Sequence, residues 1–134
     1  MIGIDTNVLV RYVVRDDESQ TALADELIDR LTSERRGFIS LIVLMETWWV
    51  LSSAYTFPAA RRVAFVEALL SSEELMVEAA DTVRKALSPV RAGADLADAV
   101  ITQVGAENGC EATMTFDRRA AQRAGMQILG RAPR

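Results

Sequence analysis

The sequence predicts an α/β protein with a mostly parallel sheet covered on both faces by helices. Three observations carry that reading. Short apolar runs alternate with long amphipathic stretches along the whole chain. Strands that alternate with helices build βαβ units, which pair in parallel. The length, 134 residues, suits one domain with one developed core, so residues 1–134 are read as a single domain.

The elements follow in order. "IGI" (2–4) reads as a buried strand, and Thr6 and Asn7 begin the helix after it. A helix from about Glu18 to Arg35 carries Leu23, Leu27 and Leu31 on one stripe. "GFIS" (37–40) is the second strand, and Ser40 can cap a helix through Ala54. Pro58 fits the first turn of a helix that runs to about Ser71. "ELMVE" (74–78) is the third strand, and Asp81 can cap a helix carrying Val83 and Leu87. Asp95 can cap a helix from Leu96 to Asn108, with Gly109 in the closing position. "ATMT" (112–115) is the fourth strand, Asp117 opens a last helix closed by "AG" at 124–125, and "QIL" (127–129) is the fifth strand.

Composition excludes several chemistries. The chain has no histidine, which removes Ser-His-Asp and Cys-His catalysis and His-ligated zinc. One cysteine, Cys110, permits neither an internal disulfide nor a cysteine zinc cluster. No apolar run reaches membrane-spanning length, and Asp5 and Arg11 interrupt any signal-peptide core. The expected compartment is therefore the cytoplasm, with no membrane partner. A net charge of −4 argues against non-specific nucleic-acid binding by bulk charge but says nothing of local patches. Half the residues are hydrophobic, a surplus read as buried sheet plus a partner surface such as a dimer face.

Acidic residues supply the chemistry that remains. In parallel sheets ligands bind beyond the carboxyl ends of the strands. Asp5 follows the first strand and Asp117 the fourth, and a strand end facing a sheet crevice is seldom freely solvated. Glu46 interrupts the apolar helix "SLIVLMETWWVL", and Asp98 the helix start "ADLADAVI". Each has a plainer explanation: Asp117 and Asp95 suit helix caps, Asp98 suits a first turn favoured by the helix dipole, and Glu46 suits a solvated face. Taken together, Asp5, Glu46, Asp98 and Asp117 suggest a site for a divalent cation. Converging carboxylates repel and raise at least one pKa, and Mg2+ or Mn2+ relieves that conflict through oxygen ligands while keeping waters. Metal-bound water is acidic enough to serve as a nucleophile without histidine, which is what phosphodiester hydrolysis requires.

Four stretches in their order and spacing, "MIGIDTNVLVRYVVRDDE", "FISLIVLMETWWVLSSAY", "GADLADAVI" and "TFDRRAA", resemble PIN-domain proteins, and among these the VapC toxins of bacterial type II toxin–antitoxin pairs. The resemblance implies a three-layer α/β/α fold with a central parallel sheet of four to five strands. It implies a Mg2+- or Mn2+-dependent endoribonuclease in which a metal-activated water leaves a 5′-phosphate and a 3′-hydroxyl. By position it assigns Asp5, Glu46, Asp98 and Asp117 as the catalytic, metal-binding acids. Thr6 and Asn7 would line the site, Thr115 would support it, and Asp95 is an extra acid near it. It also implies a VapB-like cognate antitoxin that blocks the acidic pocket, and a homodimer. "DAVITQVG" departs mildly from relatives, but no acidic position is missing, so an active nuclease is expected.

Single-stranded loops are the usual targets of sequence-specific RNA readers, so a structured loop such as that of a tRNA is the expected substrate. Arg11, Arg15, Arg118 and Arg119 are candidates for guiding its backbone. Trp48, Trp49, Tyr55 and Phe57 concentrate the aromatics and fit either core packing or a partner surface. A phosphoryl-accepting receiver domain would need paired acids after the first strand and a late lysine, whereas the single lysine is Lys85. A haloacid-dehalogenase-type phosphatase would need an aspartate at position 7, which is Asn7. A non-catalytic module whose acidic pocket docks a partner's arginine is the alternative from another class.

Overall fold

The structure, a computed structural model, describes residues 1–130. The chain folds into two compact units, Met1–Ala80 and a second that starts at Asp81. All strand pairings among the described residues are parallel, as an α/β chain requires.

The first unit runs β1 (Ile2–Gly3), α1 (Thr6–Val14), α2 (Glu18–Asp29), β2 (Gly37–Ile39), α3 (Leu41–Ser53), α4 (Ala59–Ser71) and β3 (Leu75–Val77). The three strands pair in chain order, with Gly37 opposite both Ile2 and Leu75. Two helices separate each strand from the next, long enough to return the chain for parallel pairing. Gly37 has a packing reason in the central strand. A Cβ there would lie 2.6 Å from Ile4 Cδ1 and 2.9 Å from Leu31 Cδ1.

Local chemistry starts and stops these helices. Asp5 caps α1 by accepting from the Thr6 amide. The helix ends at Arg15 in a left-handed conformation, φ 62°, which is uncommon for a residue with a Cβ. The Arg15 guanidinium grips Asp25 of α2 through two hydrogen bonds, 2.9 and 2.6 Å. Arg11 donates to Asp16, Gln20 and the Tyr55 hydroxyl, and that hydroxyl in turn donates to Asp16. Both arginines are thus engaged in joining the start of the chain together.

Helix α3 opens with Ser40 Oγ accepting from the Val43 amide, and the Glu78 carboxylate accepts from the Leu41 amide at 2.8 Å. Its buried face is Leu44, Thr47, Trp48 and Leu51, spaced as one helical stripe. Burying Leu44 and Leu51 contributes about 1.5–3 kcal/mol each. Trp48 is 4% exposed and carries the Arg62 guanidinium over its ring at 4.2 Å, whereas Trp49 is 67% exposed. The neighbouring tryptophans therefore divide: one is core and the other is surface.

The second unit contains most of α5 (Ala80–Arg91), followed by α6 (Leu96–Glu107), β4 (Met114–Thr115), α7 (Arg118–Ala124) and β5 (Gln127–Ile128). Strand β4, helix α7 and strand β5 form a short βαβ unit, with Met114 opposite Gln127 and Thr115 opposite Ile128. Asp95 and Asp117 cap α6 and α7 as the sequence predicts. Gly109 follows the end of α6 with φ 82°, a left-handed position that suits glycine. The Thr82 hydroxyl donates to Glu107 at 2.8 Å and ties α5 to α6.

Several expectations need correction. The described strands form a three-stranded and a two-stranded sheet, not one sheet of four to five; in the second, the Gln127 and Leu129 amides donate to the carbonyls of Thr113 and Thr115. Helix α2 stops at Asp29, six residues before Arg35, since the chain turns there through hydrogen bonds from the Arg30 and Leu31 amides to Leu27 and Ile28. Leu23 is 66% exposed while Thr21 and Ala24 are the buried residues, the small side chains allowing α1 to pack close. Pro58 occupies the capping position of α4, and Asp81 lies in the first turn of α5 without capping it.

Candidate functional site

The first unit brings together Asp5, Thr6 and Glu46. The backbone leaves β1 and enters α1 at Asp5, whose Oδ1 accepts from the Thr6 amide at 2.9 Å. Thr6 also directs its hydroxyl at Glu46 Oε1, 3.4 Å away, a long and weak contact. One residue thus touches both acids, one through its backbone and the other through its side chain. Asp5 and Glu46 are both exposed, which corrects the expectation that Asp5 is shielded from water in a sheet crevice. Its carboxylate accepts from the first amide of α1 and otherwise faces solvent. Asn7 lines a groove of about 480 Å³ between α1 and α2, with Val8, Arg11, Gln20, Leu23, Ala24 and Leu27.

The second unit brings together Asp95, Asp98 and Asp117. Asp98 sits in the first turn of α6, and its amide donates to Asp95 Oδ2 at 3.3 Å. Asp117 Oδ1 accepts from the amides of Arg119 and Ala120, 2.8 and 3.3 Å, and its own amide donates to Thr115 Oγ1 at 3.0 Å. Thr115 therefore supports Asp117 through the backbone. Asp98 is half-buried, and its carboxyl is held above the usual range, first by burial and then by the charges of Asp95 and Asp117. Helix capping and chemistry are compatible at Asp95 and Asp117, because a cap occupies some of a carboxylate's acceptor sites and leaves others.

One acid escaped the sequence reading. Glu78 follows β3 as Asp5 follows β1, and it carries the same signal. In the structure its carboxylate holds the start of α3, the helix that bears Glu46. No three His, Cys, Asp or Glu side chains among the described residues are grouped so as to hold a metal ion by themselves. The donors are nevertheless hard carboxylate oxygens, and Asp98 shows the repulsion that a cation would relieve. Mg2+ is commonly held by only one or two carboxylates with several waters, so these residues fit a hydrated divalent ion better than a dehydrated protein cage.

The chain is thus an α/β protein with parallel strands, acids at strand ends and helix starts, and no histidine. The PIN domain family model matches residues 2–126, and the chain belongs to the PIN domain family, which is generally a metal-dependent nuclease fold. None of the curated proteins matches the chain. No helix among the described residues is long and apolar enough to cross a membrane.

Proposed function

We propose that this protein is a Mg2+- or Mn2+-dependent endoribonuclease of the VapC type, the toxin of a type II toxin–antitoxin pair. Asp5, Glu46, Asp98 and Asp117 supply the metal-binding oxygens, and Asp95, Thr6, Asn7 and Thr115 support them. The observation that carries this reading is the PIN-family match over residues 2–126, with Asp95, Asp98 and Asp117 at the starts of α6 and α7 in support. When bound, the metal supplies an acidified water and positive charge for the developing phosphorane. The chain's own part is positioning. Thr6 orients Asp5 and Glu46, and the Thr115 hydroxyl pins the backbone at Asp117. The substrate is a single-stranded or looped RNA, such as a tRNA loop. The partners are a VapB-like antitoxin and a second copy of the chain, and the compartment is the cytoplasm.

The test is RNA cleavage by wild type, Asp5→Asn and Asp98→Asn in Mg2+ or Mn2+, with contaminating nuclease excluded by parallel purification. Either substitution should lower the rate by at least about a hundredfold. Wild-type cleavage by either variant would sink the metal-site reading. The absence of a three-acid group among the described residues favours one other reading, a non-catalytic acidic surface that docks a partner's arginine. That module would bind its partner without cleaving RNA, and the same assay separates the two.

A further inference from the structure

Phe116 stands out on the second unit. It is 80% exposed, while Phe57 is buried and Phe38 and Phe65 are half-buried. A single exposed hydrophobic residue is ordinary and carries little weight alone. Its surroundings add to it. Asp117 follows directly, then Arg118 and Arg119, both exposed. Neither guanidinium has a hydrogen bond or ion pair among the described residues. Arg11, Arg15, Arg30 and Arg123, by contrast, are each engaged with an acid or a carbonyl. Of the four arginines expected to guide RNA, Arg11 and Arg15 are paired, and Arg118 and Arg119 are the two without a side-chain partner among the described residues.

The segment that carries the three side chains is fixed. The Thr115 hydroxyl accepts from the Asp117 amide, and the Asp117 carboxylate accepts from two amides at the start of α7. Little backbone freedom remains to be lost on binding, which favours affinity. An exposed ring two and three positions from two exposed arginines suits single-stranded nucleic acid, in which a ring can stack on a base and arginines can take phosphates. Bases in a duplex are already stacked, so the surface selects an unpaired strand or loop. Met114, Ile128 and Leu129, on and beside β4 and β5, are exposed as well, so a protein partner is the rival occupant that the test below separates from RNA.

We infer that Phe116, Arg118 and Arg119 form a nucleotide platform, in which Phe116 stacks on an unpaired RNA base and the two arginines hold the adjoining phosphates. The inference rests on the nuclease reading and adds a substrate-positioning function to it. It also accounts for RNA binding by a chain of net charge −4, since local groups replace bulk charge.

The test measures binding of a fluorescent single-stranded oligoadenylate of roughly ten nucleotides, a length that spans one such site. The same strand with its bases removed serves as the second probe, and total-RNA cleavage is measured in parallel. Phe116→Ala should weaken oligoadenylate binding roughly 5- to 150-fold, and Phe116→Tyr should restore it. The abasic strand should bind wild type and Phe116→Ala equally. Each of Arg118→Ala and Arg119→Ala should lower the slope of log affinity against log salt by about 0.7, a change that Phe116→Ala should not cause. Phe116→Ala that binds and cleaves as wild type does overturns the platform and leaves the nuclease reading standing. Wild type that neither binds the strand nor cleaves RNA overturns both. Loss of self-association or of antitoxin binding in Phe116→Ala, with RNA binding intact, makes the face a protein contact and also overturns the platform.

Discussion

The hydroxyl of Thr6 points at Oε1 of Glu46 across 40 positions of the chain, and the amide of the same threonine holds Asp5. Two acids from different parts of the chain therefore share one positioning residue. Thr6→Val keeps the shape and the amide but removes the hydroxyl. The expected result is RNA cleavage lowered by roughly 10- to 100-fold, the usual effect of removing a group that orients a metal ligand, with an unchanged melting temperature. Thr6→Ser should recover most of the rate. An unaffected Thr6→Val enzyme would mean that the 3.4 Å contact does no positioning.

Asp98 sets a pH dependence with a definite sign. Its carboxyl binds a proton more tightly in the folded chain than in the unfolded one. That preference stabilises the fold at low pH and is lost as pH rises from the ordinary carboxyl value through the raised one. Above it, ionised Asp98 detracts from stability. Without divalent metal and near neutral pH, Asp98→Asn should melt about 1–3 °C higher than wild type. The gap should close in acid, where wild-type Asp98 is protonated. Asp17 and Asp25 have lowered pKa values, chiefly through the Gln20 amide and Arg15, and contribute the opposite sign. Only the difference between wild type and variant isolates Asp98.

Millimolar Mg2+ or Mn2+ should raise the wild-type melting temperature, because a ligand of the folded state alone stabilises it by mass action. The rise should shrink in Asp98→Asn and in Asp5→Asn. Scanning fluorimetry with and without a chelator measures it, and equal shifts in all three proteins would count against the acids as ligands.

Trp48 and Trp49 should separate cleanly under urea. Trp48→Ala empties a buried site under Arg62 and should cost about 3–5 kcal/mol. Trp49→Ala removes a mostly exposed ring and should stay within about 0.5 kcal/mol of wild type. Similar losses for both would place Trp49 in a packed interface in solution.

Ser40→Ala removes the side-chain cap of α3, and the lost hydrogen bond to the Val43 amide should cost about 1 kcal/mol. The Glu78 contact to the Leu41 amide leaves part of the cap in place. The double change Ser40→Ala, Glu78→Gln should therefore cost more than Ser40→Ala alone.

Helix caps were legible because their chemistry is local. Ser40, Asp95 and Asp117 each bond to an amide within three residues, and the residue type announces that bond. Strand positions were legible to within two residues for the same reason. The capping role of Asp5 was not, because a carboxylate past a strand end fits a sheet-edge site as well as it fits the Thr6 amide. Exposure was less readable. "WW" at 48–49 gives no sign of which ring turns inward, and Leu23 sits on an apolar stripe that ends outside the core.

By itself the sequence determined an α/β chain with parallel strands, the caps of α3, α6 and α7, a chemistry without histidine, and membership of the PIN pattern. The tertiary structure decided which side chains those elements bring into contact. It paired Arg11 with Asp16 and Arg15 with Asp25, linked Thr6 to Glu46, and left Phe116 with Arg118 and Arg119 facing solvent. The physical reason is range. A cap or a turn is settled by neighbours along the backbone, whereas a contact across 40 residues depends on sheet register and helix packing, which many residues set together.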